Sequence, residues 1–378
     1  LHGVGLDYRE LVENVDRGDI LLLDDGRIRL CVDDVEAGAV NCTVVIGGKL
    51  SSRKGINKLG GGLAAPALTS KDIQDIDSLA EVRPDFVAVS FVSSAADIRL
   101  TRELLAKHQM LPAIIAKIER AEVVADEDIL NSIIEEATGI MVARGDLGVE
   151  VGDAQLIGIQ KDLISRARRM DRVVITATQM MESMINNSQP TRAEVFDVAN
   201  AVLDGTDAVM LSGETAVGKH PNKAIQAMAE VCVGAEKFPL PQGRTSHRMN
   251  DHFDRVDEAI AMAAMYTANH MSVKAIIALT ESGSTTRWMS RIRSDIPIYA
   301  LTPHEATSRR VALYRGVYPV EFEIDTLNPR SLYQDIFKVL LSGDHVEVGD
   351  TVIFTKGDLD GVEGSTNAMK LVTVQAAS

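Results

Sequence analysis

Cysteine is scarce in this chain: three in 378 residues, at Cys31, Cys42 and Cys232. Each lies in an apolar stretch, and their spacing is not that of metal ligands. That leaves no case for a disulfide framework or a thiolate metal site and fits a reducing, cytoplasmic compartment. Positive charge is also short, with 39 Lys and Arg against 54 Asp and Glu, a formal net charge of −15. Such a field repels nucleic acid and anionic membranes, so neither is expected as a partner. An enzyme with this balance that acts on anions must supply positive charge locally. No apolar run approaches a membrane span, and the opening "LHGVGLDYRE" has no signal-peptide character. The opening also lacks methionine and already approaches a strand, so the chain is not expected to start where its gene starts. The eight histidines are scattered without metal spacing. Low-complexity tracts and heptad arrays are missing too.

What is present changes texture twice. Residues 1–65 carry short strand-like runs, "DILLLDDGRIRL" and "AVNCTVVIGG", punctuated by Asp-Gly and Gly-Gly and without a clear helix. They predict a small β domain, with "NKLGGGLAAP" as its exit; Gly60 to Gly62 reads as a hinge because no strand–turn–helix unit surrounds it. Over residues 66–238 helix and strand alternate. The strands are "DFVAVSF", "AIIAKIE", "GIMVAR", "RVVITAT" and "AVMLSG", five strand–helix units in all. In the helix following "GIMVAR", Leu156, Ile159, Leu163 and Ala167 recur at helical spacing, with Arg166, Arg168 and Arg169 near its end, where cations suit the dipole. Thr191 and Glu194 form a capping box for the next helix, and Gly205 stops it. Apolar strands alternating with helices predict a parallel sheet covered by helices, and the regular repeat favours a (β/α)8-type barrel. After a Pro-rich, polar connector, residues 246–378 predict a separate, smaller α/β domain.

In such barrels the carboxyl ends of strands carry the chemistry. Here they supply Ser90, Lys117 with Glu119, Arg144 with Asp146, Thr176 with Thr178, and Ser212 with Glu214. A lone "KIE" is ordinarily a strand-end ion pair and a lone "GDLG" a turn. "TATQMM" also fits a buried strand whose hydroxyls bond backbone. Their succession along one barrel is what points to a site. Glu119 and Asp146 on neighbouring strand ends can converge on one hard divalent cation, with waters and substrate oxygens completing its shell. Lys117 lies on the same strand face as Glu119, two residues away. A metal beside a fixed ammonium suits a phosphoryl group or an enolate, whose negative charge must be held as it moves. The glycines of "RGDLG" leave backbone N–H groups to hold a carboxylate or phosphate.

The segments "AKIERAE", "GIMVARGDLGVEVG", "VVITATQMMESM", "PTRAEVFDVANAVLDGTDAVMLSGETAVGKHP" and "GSTN" closely resemble pyruvate kinase. "GDILLLDDGRIRL" and "GINKLGGGL" are similar to the bacterial second isoenzyme type. The resemblance covers essentially the whole chain and implies a barrel with an inserted β lid and a C-terminal α/β domain that binds effectors. Residues 1–65 would be most of the lid, and the first three barrel strands would be absent. The implied reaction is Mg2+-dependent (or Mn2+-dependent) phosphoryl transfer from phosphoenolpyruvate to ADP, giving pyruvate and ATP. Lys117 would stabilise the phosphoryl group, Glu119 and Asp146 bind the metal, and the Gly145 and Asp146 amides hold the substrate carboxylate. Thr178 would sit beside the enolate carbon. Arg192 matches a residue near the subunit interface of a tetramer, unless it is simply a solvated first-turn arginine. K+ dependence is implied as well, with its ligands in the absent portion.

Two alternatives stand beside this: a metal-dependent aldolase acting on pyruvate enolate, and a catalytically inactive regulatory or assembly protein of this fold. A phosphorylated effector, a sugar phosphate or nucleotide monophosphate, is expected at Ser282, Gly283, Ser284 and Thr285. There a strand runs into a hydroxyl-rich turn and then a helix, although Ser and Thr also cap ordinary helices. The "GSTN" turn, Gly364 to Asn367, is expected to close over the same ligand.

Overall fold

The computed structural model describes residues 3–36, 38–63, 66–238, 252–323, 332–357 and 364–376. Most of the predicted connector, residues 239–251, lies outside the described residues. The chain divides into two compact units, residues 1–197 with 209–228, and residues 198–208 with 229–378.

The first unit begins with a one-turn helix, α1 (Leu11–Asn14), and a four-stranded antiparallel sheet. Its strands β1 (Ile20–Leu23), β2 (Ile28–Glu36), β3 (Ala39–Ile46) and β4 (Ile56–Lys58) stand in the order β3-β2-β1-β4. The β1–β2 hairpin turns through Asp24, Asp25 and Gly26, all at positive φ (51°, 56° and 80°), which Asp and Gly accept more readily than other residues. Leu21, Leu23, Ile28 and Val32 pack with Leu11 and Val15 into a small core. α1 leaves no mark in the sequence because four residues are too few for a helical period to register.

The larger part of this unit alternates α2 (Ser70–Val82), β5 (Phe86–Val89), α3 (Ala95–Lys107), β6 (Ala113–Ile118), α4 (Ala121–Ala125), α5 (Glu127–Glu136), β7 (Gly139–Ala143), α6 (Arg144–Val151), α7 (Asp153–Arg169) and β8 (Val173–Ala177). It continues with α8 (Arg192–Asp204), β9 (Ala208–Met210), α9 (Gly213–Ala216) and α10 (Pro221–Glu236). The sheet order is β5-β6-β7-β8-β9, and the pairs from β5 to β8 are parallel. Among the described residues this sheet has five strands, where a closed barrel of the type has eight.

Strand alternation separates two layers. Ile114, Ala116, Ile118, Ile140, Val142 and Val174 face one way into the main core, with Leu163 and Ala167 of α7, Ile98 and Leu105 of α3, and Ile133 of α5. Ile115, Met141, Ala143 and Ala177 face the other way and form an inner layer. Lys117 follows Ile115 by two residues and so belongs to the inner face.

The second unit contains α11 (Val256–His270), β10 (Ala275–Leu279), α12 (Ser284–Ser290), β11 (Ile298–Thr302), α13 (Glu305–Val311), β12 (Val317–Glu321), α14 (Leu332–Ser342), β13 (Thr351–Gly357) and β14 (Thr366–Thr373). Its sheet runs β12-β11-β10-β13-β14, antiparallel only at β13–β14. The two edge strands are weakly marked in the sequence. β12 carries Pro319, which an edge tolerates and a central strand does not, and β14 is half exposed. The end of α8 belongs to this unit because arginines cap it. Arg293 Nη1 donates to Leu203 O at 2.9 Å and Arg315 Nη1 to Val202 O at 2.7 Å. Arg291 and Asp207 form an ion pair, each side chain only 1% exposed.

Candidate active site

The site is assembled at the carboxyl ends of β5 to β8. Lys117 Nζ lies 2.7 Å from Glu119 Oε1 and donates to Ser90 Oγ at 2.8 Å. Glu119 is 1% exposed, and its Oε2 accepts the Phe91 amide at 2.6 Å. The loop after β5 is therefore wrapped on the β6 carboxylate, with Phe91 held at φ 52°. Arg120 fastens the same loop by donating to Phe91 O at 2.8 Å.

Asp146 is in the first turn of α6. Burial, above all, raises its carboxyl above the ordinary range; the charges of Glu119 and of Asp25 on the β1–β2 hairpin act in the same direction, while Lys117 and a hydrogen bond from Asn57 oppose them. This is a site short of positive charge, and a hard divalent cation fits it. Among the described residues, groups of three or more His, Cys, Asp or Glu suited to a metal do not occur. Glu119 and Asp146 together with water and substrate oxygens would make a donor set of the kind Mg2+ favours.

The expectation for "RGDLG" needs correction. Arg144 to Gly148 is the beginning of α6 itself, not a free turn leading into a helix. Nor is the Gly145 amide free, since it donates to Thr178 Oγ1 at 2.7 Å. Helical geometry still aims the first-turn N–H groups outward, because they have no partner four residues earlier. Thr178 sits at φ 66°, a left-handed conformation that a β-branched residue occupies only when its surroundings impose it. Its hydroxyl donates to Ala177 O at 2.6 Å while accepting from Gly145.

Arg144 does much of the imposing. It is 6% exposed, its Nη2 donates to Thr178 O at 2.8 Å, and its Nη1 reaches both Asp197 oxygens at 2.7 Å. The sequence placed Arg144 at a strand end but assigned it no role, since Asp197 lies 53 residues away. Asp25 and Asn57 went unnoticed for the same reason. Glu214, another strand-end candidate, is 2% exposed and accepts the Met181 and Ser212 amides at 3.0 and 2.8 Å, so it ties two loops together. Thr176 is fully buried. Lys117, Glu119, Gly145, Asp146 and Thr178 thus come together, and Arg192 stands exposed at the start of α8.

In the second unit the expected effector turn is shorter than anticipated. α12 begins at Ser284, so only Ser282 and Gly283 (φ 82°) are in the turn. The Thr285 hydroxyl is buried against that of Thr366 at 2.7 Å, and Thr286 donates to Gly283 O. Ser282 Oγ is buried without a hydrogen-bond partner. Of the "GSTN" segment only Gly364 and Ser365 precede β14; Thr366 and Asn367 belong to the strand. The Thr285–Thr366 bond does bring the two segments together.

A family model described as "Pyruvate kinase, barrel domain" matches residues 2–225, and one described as "Pyruvate kinase, alpha/beta domain" matches residues 258–372. The chain is 52% identical over 373 residues to "Pyruvate kinase II" of Salmonella typhimurium, covering 98% of this chain and 77% of that protein. It is 50% identical over 373 residues to "Pyruvate kinase" of Haemophilus influenzae, with the same coverage of both chains. A "Pyruvate kinase" of Buchnera aphidicola subsp. Schizaphis graminum is 52% identical over 372 residues.

Proposed function

The chain belongs to the pyruvate kinase family, and from that premise we propose how its residues divide the work. The function is that of a pyruvate kinase: phosphoryl transfer from phosphoenolpyruvate to ADP, giving pyruvate and ATP. The aldolase alternative has no support in these relatives.

The observation that carries the residue assignment is the grouping of buried Glu119 with half-buried Lys117 and Asp146 at and just beyond adjacent strand ends. Glu119 and Asp146 hold a divalent cation, Mg2+ or Mn2+, which when bound neutralises phosphate oxygens and the developing enolate. Lys117 presents its ammonium to the phosphoryl group in transit, and Ser90 and Glu119 fix its direction. The first-turn amides of α6, at Gly145 and Asp146, receive the substrate carboxylate at the positive end of the helix, the Gly145 N–H being shared between it and Thr178 Oγ1. Thr178 borders the enolate carbon. To pass a proton toward that carbon its hydroxyl must first leave Ala177 O, a rotation that does not disturb the Gly145 amide on its oxygen. The N-terminal sheet meets α6, where the Gly60 amide donates to Glu150 O at 2.8 Å, and its hairpin brings the Asp25 charge near enough to act on Asp146.

In the second unit we place a phosphorylated effector at Ser282 to Thr285, supported by the unpartnered Ser282 hydroxyl. A homo-oligomer, with Arg192 at its interface, belongs to the same proposal.

Lys117→Met tests the central role. It keeps the stem and removes the charge, so kcat for ADP-dependent pyruvate formation should fall by roughly 10²-fold or more, with metal binding largely intact. Near-normal turnover would remove Lys117 from the chemistry.

A further inference from the structure

We propose that Arg120 is a positioning residue for the metal site. Its guanidinium grips the backbone of Phe91 and of Leu63 at once, so that the loop after β5 holds the Glu119 carboxylate in one direction. The exit of the N-terminal sheet is seated on the same clasp. The proposal rests on the reading of Glu119 as a metal ligand.

Glu119 and Arg120 are consecutive, just beyond the end of β6, and their side chains close on one residue. Glu119 Oε2 accepts the Phe91 amide at 2.6 Å, and Arg120 Nε donates to the Phe91 carbonyl oxygen at 2.8 Å. Phe91 is thus held by both of its backbone polar groups. It stands at φ 52°, a left-handed conformation that a residue with a Cβ keeps only where its surroundings impose it. A change of φ rotates the carbonyl relative to the amide, so the two bonds survive together only in this conformation. The Arg120 guanidinium also lies 6.0 Å from the centre of the Phe91 ring.

The guanidinium has a second set of partners. Its Nη1 donates to Leu63 O at 3.2 Å and to Glu122 Oε1 at 3.3 Å. Arg120 is 5% exposed, and a buried guanidinium must find acceptors for its fork of donors. Leu63 follows β4 on the way out of the N-terminal sheet. That exit is fastened a second time at Gly60, whose amide donates to Glu150 O at 2.8 Å. Glu150 Oε2 in turn accepts the amide of Ala121, the neighbour of Arg120, at 2.8 Å. Between the two fastenings, a Cβ on Gly61 (φ 79°) would lie 2.4 Å from Glu122 Oε2 and 3.2 Å from Ala121 Cβ. The glycine hinge expected from the sequence is therefore seated on residues 120–122.

Hydrogen bonds to a ligating carboxylate fix its direction, and their own supports matter nearly as much. Here the support of the Phe91 amide is Arg120. Because coupling is reciprocal, a cation that orders Glu119 also steadies Phe91 and, through Arg120, the sheet exit.

The test measures Mn2+ binding to the full chain without substrate by electron paramagnetic resonance. It is run well below the unfolding midpoint of each variant, where lost stability alone leaves the affinity unchanged. Arg120→Met should weaken binding about tenfold, the loss typical of removing an outer partner of a metal ligand. Charge alone predicts the opposite sign, since removing a cation beside a cation site favours Mn2+. Arg120→Lys keeps the charge, but one ammonium cannot replace the fork that spans both carbonyls, so it should weaken binding too. Glu119→Gln should weaken it further. If Arg120→Met or Arg120→Lys binds Mn2+ as tightly as the unmutated chain while Glu119→Gln does not, the clasp is wrong and the metal assignment stands. If Glu119→Gln also binds normally, the metal assignment fails and the clasp with it. Amide hydrogen exchange in the unmutated chain is free of any folding defect: Mn2+ should slow exchange at Phe91 and over residues 60–63. A response missing at either place overturns the proposal.

Discussion

At Asp146 burial and the neighbouring Glu119 charge both work against ionisation, and a cation reverses that balance. Asp146→Asn preserves shape and removes the charged ligand oxygen. Apparent Mg2+ affinity in the steady-state assay should therefore weaken by more than about tenfold, since loss of a supporting bond alone costs that much. An unchanged Mg2+ titration would move the metal elsewhere. Arg144 calls for a different readout because it holds Thr178 through that residue's backbone oxygen. Arg144→Met leaves a left-handed threonine without its clamp, so kcat should fall on the order of 10²-fold, as a misplacement near 1 Å does. The KM for ADP should move little. A variant with normal kcat would show that β8 and the Gly145 amide are enough to hold Thr178.

At the scale of the element, α8 shows how a helix start is written in four residues. The Thr191 amide donates to Glu194 at 2.7 Å and the Glu194 amide to the Thr191 hydroxyl at 3.3 Å, the reciprocal box expected from the sequence. The structure adds that Glu194 also accepts the amide and hydroxyl of Ser183, at 2.7 and 2.6 Å. Burial alone would raise this carboxyl, but the donors from Ser183 and Thr191 outweigh it and hold it below the ordinary range. A carboxyl depressed on folding contributes stability above its unfolded value and loses it as pH falls through the folded one. Glu194→Gln should thus lower the thermal midpoint by an amount equivalent to about 1 kcal/mol at neutral pH. The gap to the unmutated chain should narrow as pH drops below the ordinary glutamate range. A gap independent of pH would mean that shape, not charge, is what α8 uses.

On the scale of the whole molecule, regulation requires that two sites share a free energy. If, as proposed, a phosphorylated effector binds at the start of α12, it and phosphoenolpyruvate at the α6 terminus must strengthen each other equally, typically by about 1–3 kcal/mol. Calorimetry on the full chain with a sugar monophosphate should show binding that Ser284→Asp abolishes by placing a negative charge in the cradle. It should also show tighter phosphoenolpyruvate binding when the effector is present. Equal affinity in both forms would mean the turn only caps α12. With a formal net charge of −15, both anions must be drawn by local groups, and weak salt dependence of their association is expected.

The local sequence carried the alternation of the parallel strands with helices, the capping box of α8, and the polar residues Lys117, Glu119, Asp146 and Thr178 at or just beyond strand ends. These are local signals: a hydrophobic period, a cap, a polar residue closing an apolar run. It could not register α1, too short for a period, or β12, whose Pro319 speaks against a strand unless that strand is an edge. Tertiary structure alone decided that "RGDLG" is helix, since its glycines argue for a turn until packing against Thr178 and Leu156 overrides them. It also decided the partnerships of Arg144 with Asp197 and of Asn57 with Glu150. Each joins residues separated by 50 or more positions, and no local pattern in a single chain encodes which distant side chain completes a buried charge or amide.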